Sequence, residues 1–289
     1  GKISKWGGTI GTIIPAALLI VLGGIYIATG GHNNMDMSQG FFPDLTKLDN
    51  LVLASSIFLF YAGMEMMGVH VMDVNNPSKN YPKAIIIGSL ATVAIFVLGT
   101  FDLGFIIPAK DIKLTQSLLI GFDNYFRYFH VSWAGPIIAI ALMFGVLASV
   151  LTWVAGPSKG IFMVGKAGYL PPFFQKTNSN GVQSNILLVQ GGLVTLLSLL
   201  FVVMPSVQSF YQILSQLTIL LYLIMYMLMF AAAIVLRYKM KDTPRPFRLG
   251  KGNVLMWILG IVGFSGSLLA FVLSFIPPGQ IATGSNAVW

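Results

Sequence analysis

The amino-acid sequence predicts an all-α membrane protein with seven transmembrane helices, the second of which is discontinuous. The 289-residue chain is 56% hydrophobic and only 9% charged, whereas a soluble domain carries about 25% charged residues. Long apolar runs alternate with short basic loops, which is typical of chains that cross a bilayer several times. Backbone groups in lipid need partners within their own segment, so runs of this length predict helices.

Seven apolar runs have the roughly 20 residues that a helix needs to cross the hydrocarbon core. They are residues 6–28, 51–72, 84–107, 133–154, 186–204, 209–236 and 254–276. Turn residues end the second run at Asn75-Asn76-Pro77 and the fourth at Gly156-Pro157. Residues 115–130 have aromatic side chains at helical spacing but are too few and too polar to span, so we expect a helix lying flat on the outer surface.

The basic residues predict the orientation of the chain. Thirteen of the 17 Lys and Arg residues lie in gaps on one side of the predicted spans, and four lie on the other. The basic side is normally cytoplasmic, which places the N-terminus inside and the C-terminus outside. The net charge of +8 is therefore a topological signal and predicts no nucleic-acid partner. The basic cluster at 237–251 is also suited to anionic lipid.

The composition argues against an enzyme. The chain has no cysteine, which excludes disulfides, thiolate metal sites and a cysteine nucleophile. Its three histidines, His32, His70 and His130, are scattered along the chain, so no metal site is predicted. Metalloprotease, nucleophile-elbow and phosphate-loop motifs are missing from the sequence as well, and no cofactor is expected.

The main candidate site lies in the middle of the second run, at Gly63-Met64-Glu65-Met66-Met67-Gly68. A charge at the bilayer centre costs ~3 kcal/mol or more, and the flanking Gly63 and Gly68 weaken a helix locally. Together they predict a broken helix with a carboxyl group at mid-membrane, as in many secondary transporters. The alternative is close helix packing by small residues, with Glu65 hydrogen-bonded to a neighbour.

Other polar residues within the spans are secondary candidates. Tyr222 and Tyr226 are four residues apart and share a helix face, either toward a cavity or in ordinary packing. His70 follows Glu65 and could be pH-linked, although a structural role is favoured. Asp102 lies near the outer end of the third run, where it could snorkel to the interface or line an outer vestibule; a structural role is favoured there too.

Four short motifs occur in a recognisable order. They are Phe41-Phe42-Pro43-Asp44; Gly63-Met64-Glu65 followed by Asn76-Pro77 and Tyr81-Pro82; Gly156-Pro157-Ser158-Lys159-Gly160 followed by Leu170-Pro171; and Leu221-Tyr222 to Tyr226. In these motifs the chain resembles the amino acid–polyamine–organocation superfamily, and within it the bacterial glutamate/GABA antiporters. The resemblance extends over nearly the whole chain.

This resemblance implies an inverted-repeat transporter fold of twelve spans in the inner cell membrane, with a small amino acid as substrate. Residues 1–289 would form a single transmembrane transporter domain that covers family spans five to eleven. Gly63 and Glu65 would supply backbone contacts and a gating carboxylate in the broken sixth span, and Tyr222 and Tyr226 would lie in the tenth.

The same resemblance implies that the first broken span and the twelfth span lie outside this chain. Ser149 occupies a position where the glutamate/GABA antiporters carry an acid, so the substrate pair stays open. We expect secondary active exchange of amino acids; the alternative is a proton-coupled symporter of the same fold. A seven-helix receptor is disfavoured by the predicted inside N-terminus, and a non-transporting scaffold would not need Glu65. Stoichiometry and oligomeric state are not predicted.

Overall fold

The structure of the chain, a computed structural model, describes residues 6–35, 40, 42–57, 61–113, 116–199, 202, 207–245, 247–248, 250 and 252–276. Within these ranges all regular structure is helical, which confirms the predicted all-α class. The α-helices are α1 Ile14–Ala28, α2 Leu48–Ser56, α3 Pro77–Ile106, α4 Ser117–Tyr128, α5 Gly135–Lys166, α6 Ser184–Ser198, α7 Val207–Lys239 and α8 Val254–Leu273. A π-helical turn, Thr9–Ile13, leads into α1, and a 3-10 helix, Met64–Asp73, precedes α3.

Five of the predicted spans are present as helices long and apolar enough to cross a membrane. They are Trp6–Ala28, Pro77–Ile106, Ser132–Lys166, Phe210–Lys239 and Val254–Leu273. Each overlaps one of the first, third, fourth, sixth and seventh predicted runs. The prediction that Gly156-Pro157 ends the fourth is wrong, because α5 continues through Pro157 to Lys166. Most of the large apolar side chains on these helices are exposed, as expected where lipid is the solvent. The chain is a multi-pass membrane protein.

The remaining two runs differ from simple spans. The second run is discontinuous, as predicted: α2 ends at Ser56, and the 3-10 helix Met64–Asp73 begins only after Gly63; residues 58–60 lie outside the described residues. In the fifth run, α6 has 15 residues, and residues 200, 201, 203 and 204 of that run also lie outside the described part. The count of seven spans therefore stays a prediction.

The chain divides into two compact units, of which the first comprises residues 1–39, 66–69 and 88–198. Within it the π-helical turn packs on α5 through Gly11 and Gly145, which lie back to back. A Cβ added to Gly11 would overlap the backbone of Gly145, and the reverse is also true. Small residues of this kind let transmembrane helices approach through their backbones.

The centre of the first unit is an aromatic cluster built by α4. Phe122, Tyr125 and Phe126 are buried among residues of α1, α3 and α5, including Leu19 and Ile138. These three side chains lie on one face because they are three and four residues apart. The aromatic face of this helix, for which we predicted a position flat on the outer surface, is thus covered by protein; its position relative to the membrane stays a prediction.

The second unit comprises residues 40–65, 70–87 and 199–289, and its described core lies between α7 and α8. Ile219, Leu223 and Ala270 are buried there. Gly260 and Gly263 of α8 face side chains of α7, and a Cβ on Gly263 would overlap the ring of Phe230. At the end of α8, Gln216 donates a hydrogen bond of 2.7 Å to the carbonyl of Ser274. These contacts fix α7 against α8.

We expect Gly145→Ala to destabilise the first unit, because its methyl group meets backbone atoms that cannot move aside. Overpacking of this kind costs roughly 1–3 kcal/mol. In the full-length protein in detergent, thermal unfolding should shift down by several degrees. The matched control is Gly24→Ala in α1, where an added Cβ meets no atom within 4 Å. Equal unfolding temperatures for the two variants would contradict the backbone contact.

Candidate functional site

The backbone turns sharply at Gly63, just before the 3-10 helix. Its φ of 112° and ψ of −8° lie in the left-handed region, which favours glycine because a Cβ would be strained there. The ten-residue 3-10 helix that follows is long for its type, since runs beyond three or four residues are uncommon and often mark a hinge. This break frees the N–H of Gly63 from the hydrogen-bond ladder of a regular α-helix.

The freed N–H of Gly63 donates to the side chain of Glu65, at 3.1 Å from Oε2. The hydroxyl of Tyr226, on α7, donates to the same Oε2 at 2.7 Å. The N–H of Gly63 also lies within hydrogen-bond distance of the Tyr226 hydroxyl oxygen, at 3.2 Å. Three groups from two separate elements of the second unit are thus mutually hydrogen-bonded. We call Gly63, Glu65, Tyr222 and Tyr226 the Glu65 site.

The two oxygens of Glu65 have different surroundings. Oε2 accepts the two hydrogen bonds just described, whereas Oε1 is buried and has no hydrogen-bond partner among the described residues. A buried acceptor without a donor costs about 1–3 kcal/mol. Such an oxygen is suited to hold a proton or to accept a hydrogen bond from a bound cation.

Tyr222 lies one helical turn before Tyr226, and the ring centroids of the two residues are 5.9 Å apart with planes inclined by 50°. It is also close enough to Glu65 for an electrostatic interaction. The structure therefore brings together Gly63, Glu65, Tyr222 and Tyr226 of the predicted site residues. Aromatic rings around a carboxyl group provide an apolar wall with hydroxyl groups at its edge.

The two other predicted residues take no part in the hydrogen bonds of the Glu65 site. Gly68 lies inside the 3-10 helix and is half-buried. His70 lies on the same helix, and its Nδ1 is 3.2 Å from Oδ2 of Asp73. The two side chains of this pair are 43% and 62% exposed. The spacing of three residues could have predicted the pair. Among the described residues, no group of three or more metal-ligating side chains is present.

Asp102 lies in a place that the sequence did not predict. It is only 5% exposed and packs against Gly23 of α1, which excludes snorkelling to the interface, one of the two positions that the sequence allowed for it. Its Oδ2 has no hydrogen-bond partner in the part of the chain that the structure describes. The Tyr125 hydroxyl donates to the backbone carbonyl of Asp102. Burial, and then the nearby charge of Asp102, raise the pKa of this hydroxyl, so it stays a donor.

The glycines of the motif at residues 156–160 face the 3-10 helix within the first unit. A Cβ at Gly156 would lie 2.7 Å from Cε of Met66, and one at Gly160 would lie 3.6 Å from Cγ1 of Val69. The motif thus offers a flat surface on α5, and the side chains of the 3-10 helix pack into it. This contact explains why glycines recur at a four-residue spacing here.

Ser149 lines a cavity of about 380 Å³ in the first unit. Thr9 and Thr12 of the π-helical turn and Thr152 of α5 line it as well. The cavity wall is therefore rich in hydroxyl groups, which both donate and accept hydrogen bonds. A single π-helical turn within a longer helix is frequent at functional sites.

Comparison with known proteins agrees with this architecture. A family model described as amino acid permease matches residues 1–289. An uncharacterized transporter of Legionella pneumophila is 33% identical over 279 residues, which is 96% of this chain and 60% of the relative. A glutamate/gamma-aminobutyrate antiporter of Lactococcus lactis is 33% identical over 286 residues, or 97% and 57% of the two chains. A probable agmatine/putrescine antiporter of Lactococcus lactis is 26% identical over 278 residues, or 95% and 59%.

The chain spans between 57% and 60% of the length of these relatives. Two of the three are named as antiporters, and their named substrates are amino acids in one case and amines in the other.

Proposed function

Because this chain belongs to the amino acid permease family, we propose that it is part of a secondary transporter that exchanges amino acids across the inner cell membrane. The proposed substrate class is that of a glutamate/GABA antiporter, because a relative with that name is 33% identical over 97% of the chain. The chain is proposed to act as one transmembrane transporter domain, residues 1–289, without enzymatic activity.

The observation that carries the proposal is the Glu65 site. A carboxyl group lies at an interrupted helix, with one oxygen held by Gly63 and Tyr226 and the other buried without a partner. We propose that Oε1 receives a hydrogen from the ammonium group of the substrate or a proton. A hydrogen bond to a charged group contributes about 1.5–3 kcal/mol, which is enough to bias two conformations of a transporter by tenfold or more.

The interrupted helix can couple binding at Glu65 to a change in the orientation of the 3-10 helix. The 3-10 helix begins at the residue after Gly63, so the orientation of its first turn is coupled to the hydrogen bonds of Glu65. When a cation or proton binds Oε1, the negative charge on Oε2 falls, and the hydrogen bond that Oε2 accepts from Tyr226 of α7 weakens. We propose that this weakening links substrate binding to the change between outward-open and inward-open states.

We expect Glu65→Gln in the full-length protein to slow exchange by roughly 10–100-fold, which corresponds to losing one charge-assisted hydrogen bond, and to flatten its pH dependence. Tyr226→Phe should weaken exchange by roughly tenfold, because Glu65 Oε2 loses a donor. The matched control is Tyr211→Phe, on the same helix but 43% exposed. Uptake of radiolabelled glutamate into proteoliposomes at several pH values between mildly acidic and neutral measures both effects.

Membrane insertion and expression should be unaffected in all three variants. Exchange by Glu65→Gln that equals the unmodified protein at every pH would remove Glu65 from the mechanism. An equal loss in Tyr226→Phe and Tyr211→Phe would show that Tyr226 acts only through packing.

A proton-coupled symporter is the second candidate function, and the unpartnered Oε1 of Glu65 favours it as well, since a buried carboxyl oxygen also suits a proton. Counterflow in proteoliposomes distinguishes the two. We expect uptake of external substrate only when vesicles are preloaded with substrate. Uptake into empty vesicles driven by an imposed proton gradient alone would support the symporter instead.

We further propose that the N-terminus of this chain is cytoplasmic and its C-terminus external. Thirteen of the 17 Lys and Arg residues then lie on the inside. In a full-length variant whose other cysteines are replaced, a cysteine at Asp123 should react with an impermeant maleimide added outside whole cells. A cysteine at Asp242 should react only after the cells are opened. The reverse pattern would contradict this orientation.

A further inference from the structure

Four basic side chains converge between the end of α7 and the start of α8. Arg237, Lys241, Arg245 and Arg248 line a pocket of about 300 Å³ in the second unit. Tyr238 and Asn253 complete its lining. No acidic residue is among the described residues that line it, so the pocket carries up to four positive charges with no charge of opposite sign in its wall.

Two of these guanidinium groups are held in place by the protein. Arg237 donates from Nε to Oδ1 of Asn253 at 3.0 Å and from Nη2 to the carbonyl of Gly252 at 3.2 Å. Arg245 donates from Nη2 to two carbonyls at the end of α7, that of Leu236 at 3.0 Å and that of Met240, the residue after the helix, at 2.8 Å. Since a helix C-terminus favours such donors, Arg245 closes α7 and keeps its charge beside the pocket.

The other two side chains are available to a ligand. Lys241 and Arg248 are exposed, and neither side chain makes a hydrogen bond or ion pair within the described residues. Asn253 is also the N-cap of α8, so the positive end of that helix adjoins the pocket and further favours an anion.

An apolar groove continues from this pocket along α8. The groove has a volume of about 600 Å³ and shares Tyr238 and Asn253 with the pocket. Val254, Trp257, Ile258, Ile261 and Val262 form the rest of its wall. Their spacing places them on one face of the helix, and residues 254–262 extend for about 12 Å at 1.5 Å per residue.

An aromatic pair marks the boundary between the pocket and the groove. The indole Nε1 of Trp257 donates to the hydroxyl of Tyr238 at 2.7 Å. Tryptophan and tyrosine are enriched where a membrane protein passes from the hydrocarbon core to the headgroup region. The boundary from charged to apolar wall thus coincides with the expected boundary of the bilayer.

From this arrangement we infer that the pocket and groove bind an anionic phospholipid. The phosphate lies among Lys241, Arg248 and the two fixed guanidinium groups, and an acyl chain follows the groove on α8. A soluble anion would use only the charged pocket, and a zwitterionic lipid would place an ammonium group in a basic wall. The charge of the pocket and its continuity with the groove together favour an anionic lipid of the leaflet at the basic side of the membrane.

The test removes charge without removing a contact. In the full-length protein, the double variant Lys241→Gln with Arg248→Gln takes two charges from the pocket and leaves the hydrogen bonds of Arg237 and Arg245 intact. The matched control, Lys79→Gln with Lys83→Gln, takes two charges from basic residues in α3, on the same predicted side of the membrane and outside the pocket lining. Each protein is titrated in detergent with phosphatidylglycerol and with phosphatidylcholine, and bound lipid is counted by native mass spectrometry.

We expect the pocket variant to bind phosphatidylglycerol roughly 30-fold more weakly than the unmodified protein, as two charges near a lipid surface predict. The control should change by less than threefold, and phosphatidylcholine should bind weakly to all three. A second variant, Ile261→Ser, should weaken phosphatidylglycerol binding while leaving the charges in place.

An equal loss in the pocket variant and the control would overturn the inference, because it would show a diffuse electrostatic attraction. Full competition by inorganic phosphate at millimolar concentration would overturn it as well, since it would show that the groove contributes nothing.

Discussion

The carboxyl group of Glu65 needs hydrogen-bond donors that a regular α-helix cannot supply. A charge in the middle of a membrane costs ~3 kcal/mol or more, and in an α-helix every interior N–H is already bonded to a carbonyl four residues earlier. Two hydrogen bonds to a charged group contribute about 1.5–3 kcal/mol each, which is of the size required. The break at Gly63 frees one donor, and Tyr226 brings the other. The break at Gly63 and the carboxyl group of Glu65 thus explain each other, given the mid-membrane position that we propose for Glu65.

The position of Tyr226 depends in turn on the packing of α7 against α8. Leu223, three residues before Tyr226, is almost fully buried in that interface. Gly260 and Gly263 let the two helices come close, and the hydrogen bond from Gln216 to Ser274 fixes the end of α8. Small residues and one side-chain hydrogen bond therefore align a hydroxyl with a carboxyl group 161 residues away in sequence. The second unit is built so that the Glu65 site is rigid on its α7 side.

The parts of this structure that the sequence predicted are those governed by local composition. Uniform apolar runs predicted seven spans, and five of them are helices long and apolar enough to cross a membrane, because length and hydropathy decide whether a helix can cross the hydrocarbon core. Gly63 and Glu65 predicted the break before the 3-10 helix, because a glycine and an acid both oppose a regular lipid-exposed helix; that this segment spans the membrane stays a prediction. The burial of Asp102 was missed because it depends on Gly23 and on Tyr125, which lie far away in sequence. The hydrogen bond from Tyr226 to Glu65 also joins segments that are distant in sequence. The four-residue spacing of Tyr222 and Tyr226 places them on one helix face but does not show what that face contacts.

The basic residues in the last turn of α7 and in the loop after it contribute both to membrane orientation and to a proposed binding pocket. Orientation in the membrane requires only that Lys and Arg be numerous near the ends of the spans, whatever their arrangement. A binding pocket requires that their side chains converge, which here depends on Arg245 closing α7 and on Arg237 reaching Asn253. Lys241 and Arg248 take part in neither of these hydrogen-bonded contacts. Their charges can therefore bind a ligand in addition to favouring one orientation in the membrane. Convergence, and not the number of charges, therefore separates the proposed lipid site from a basic loop that only sets orientation.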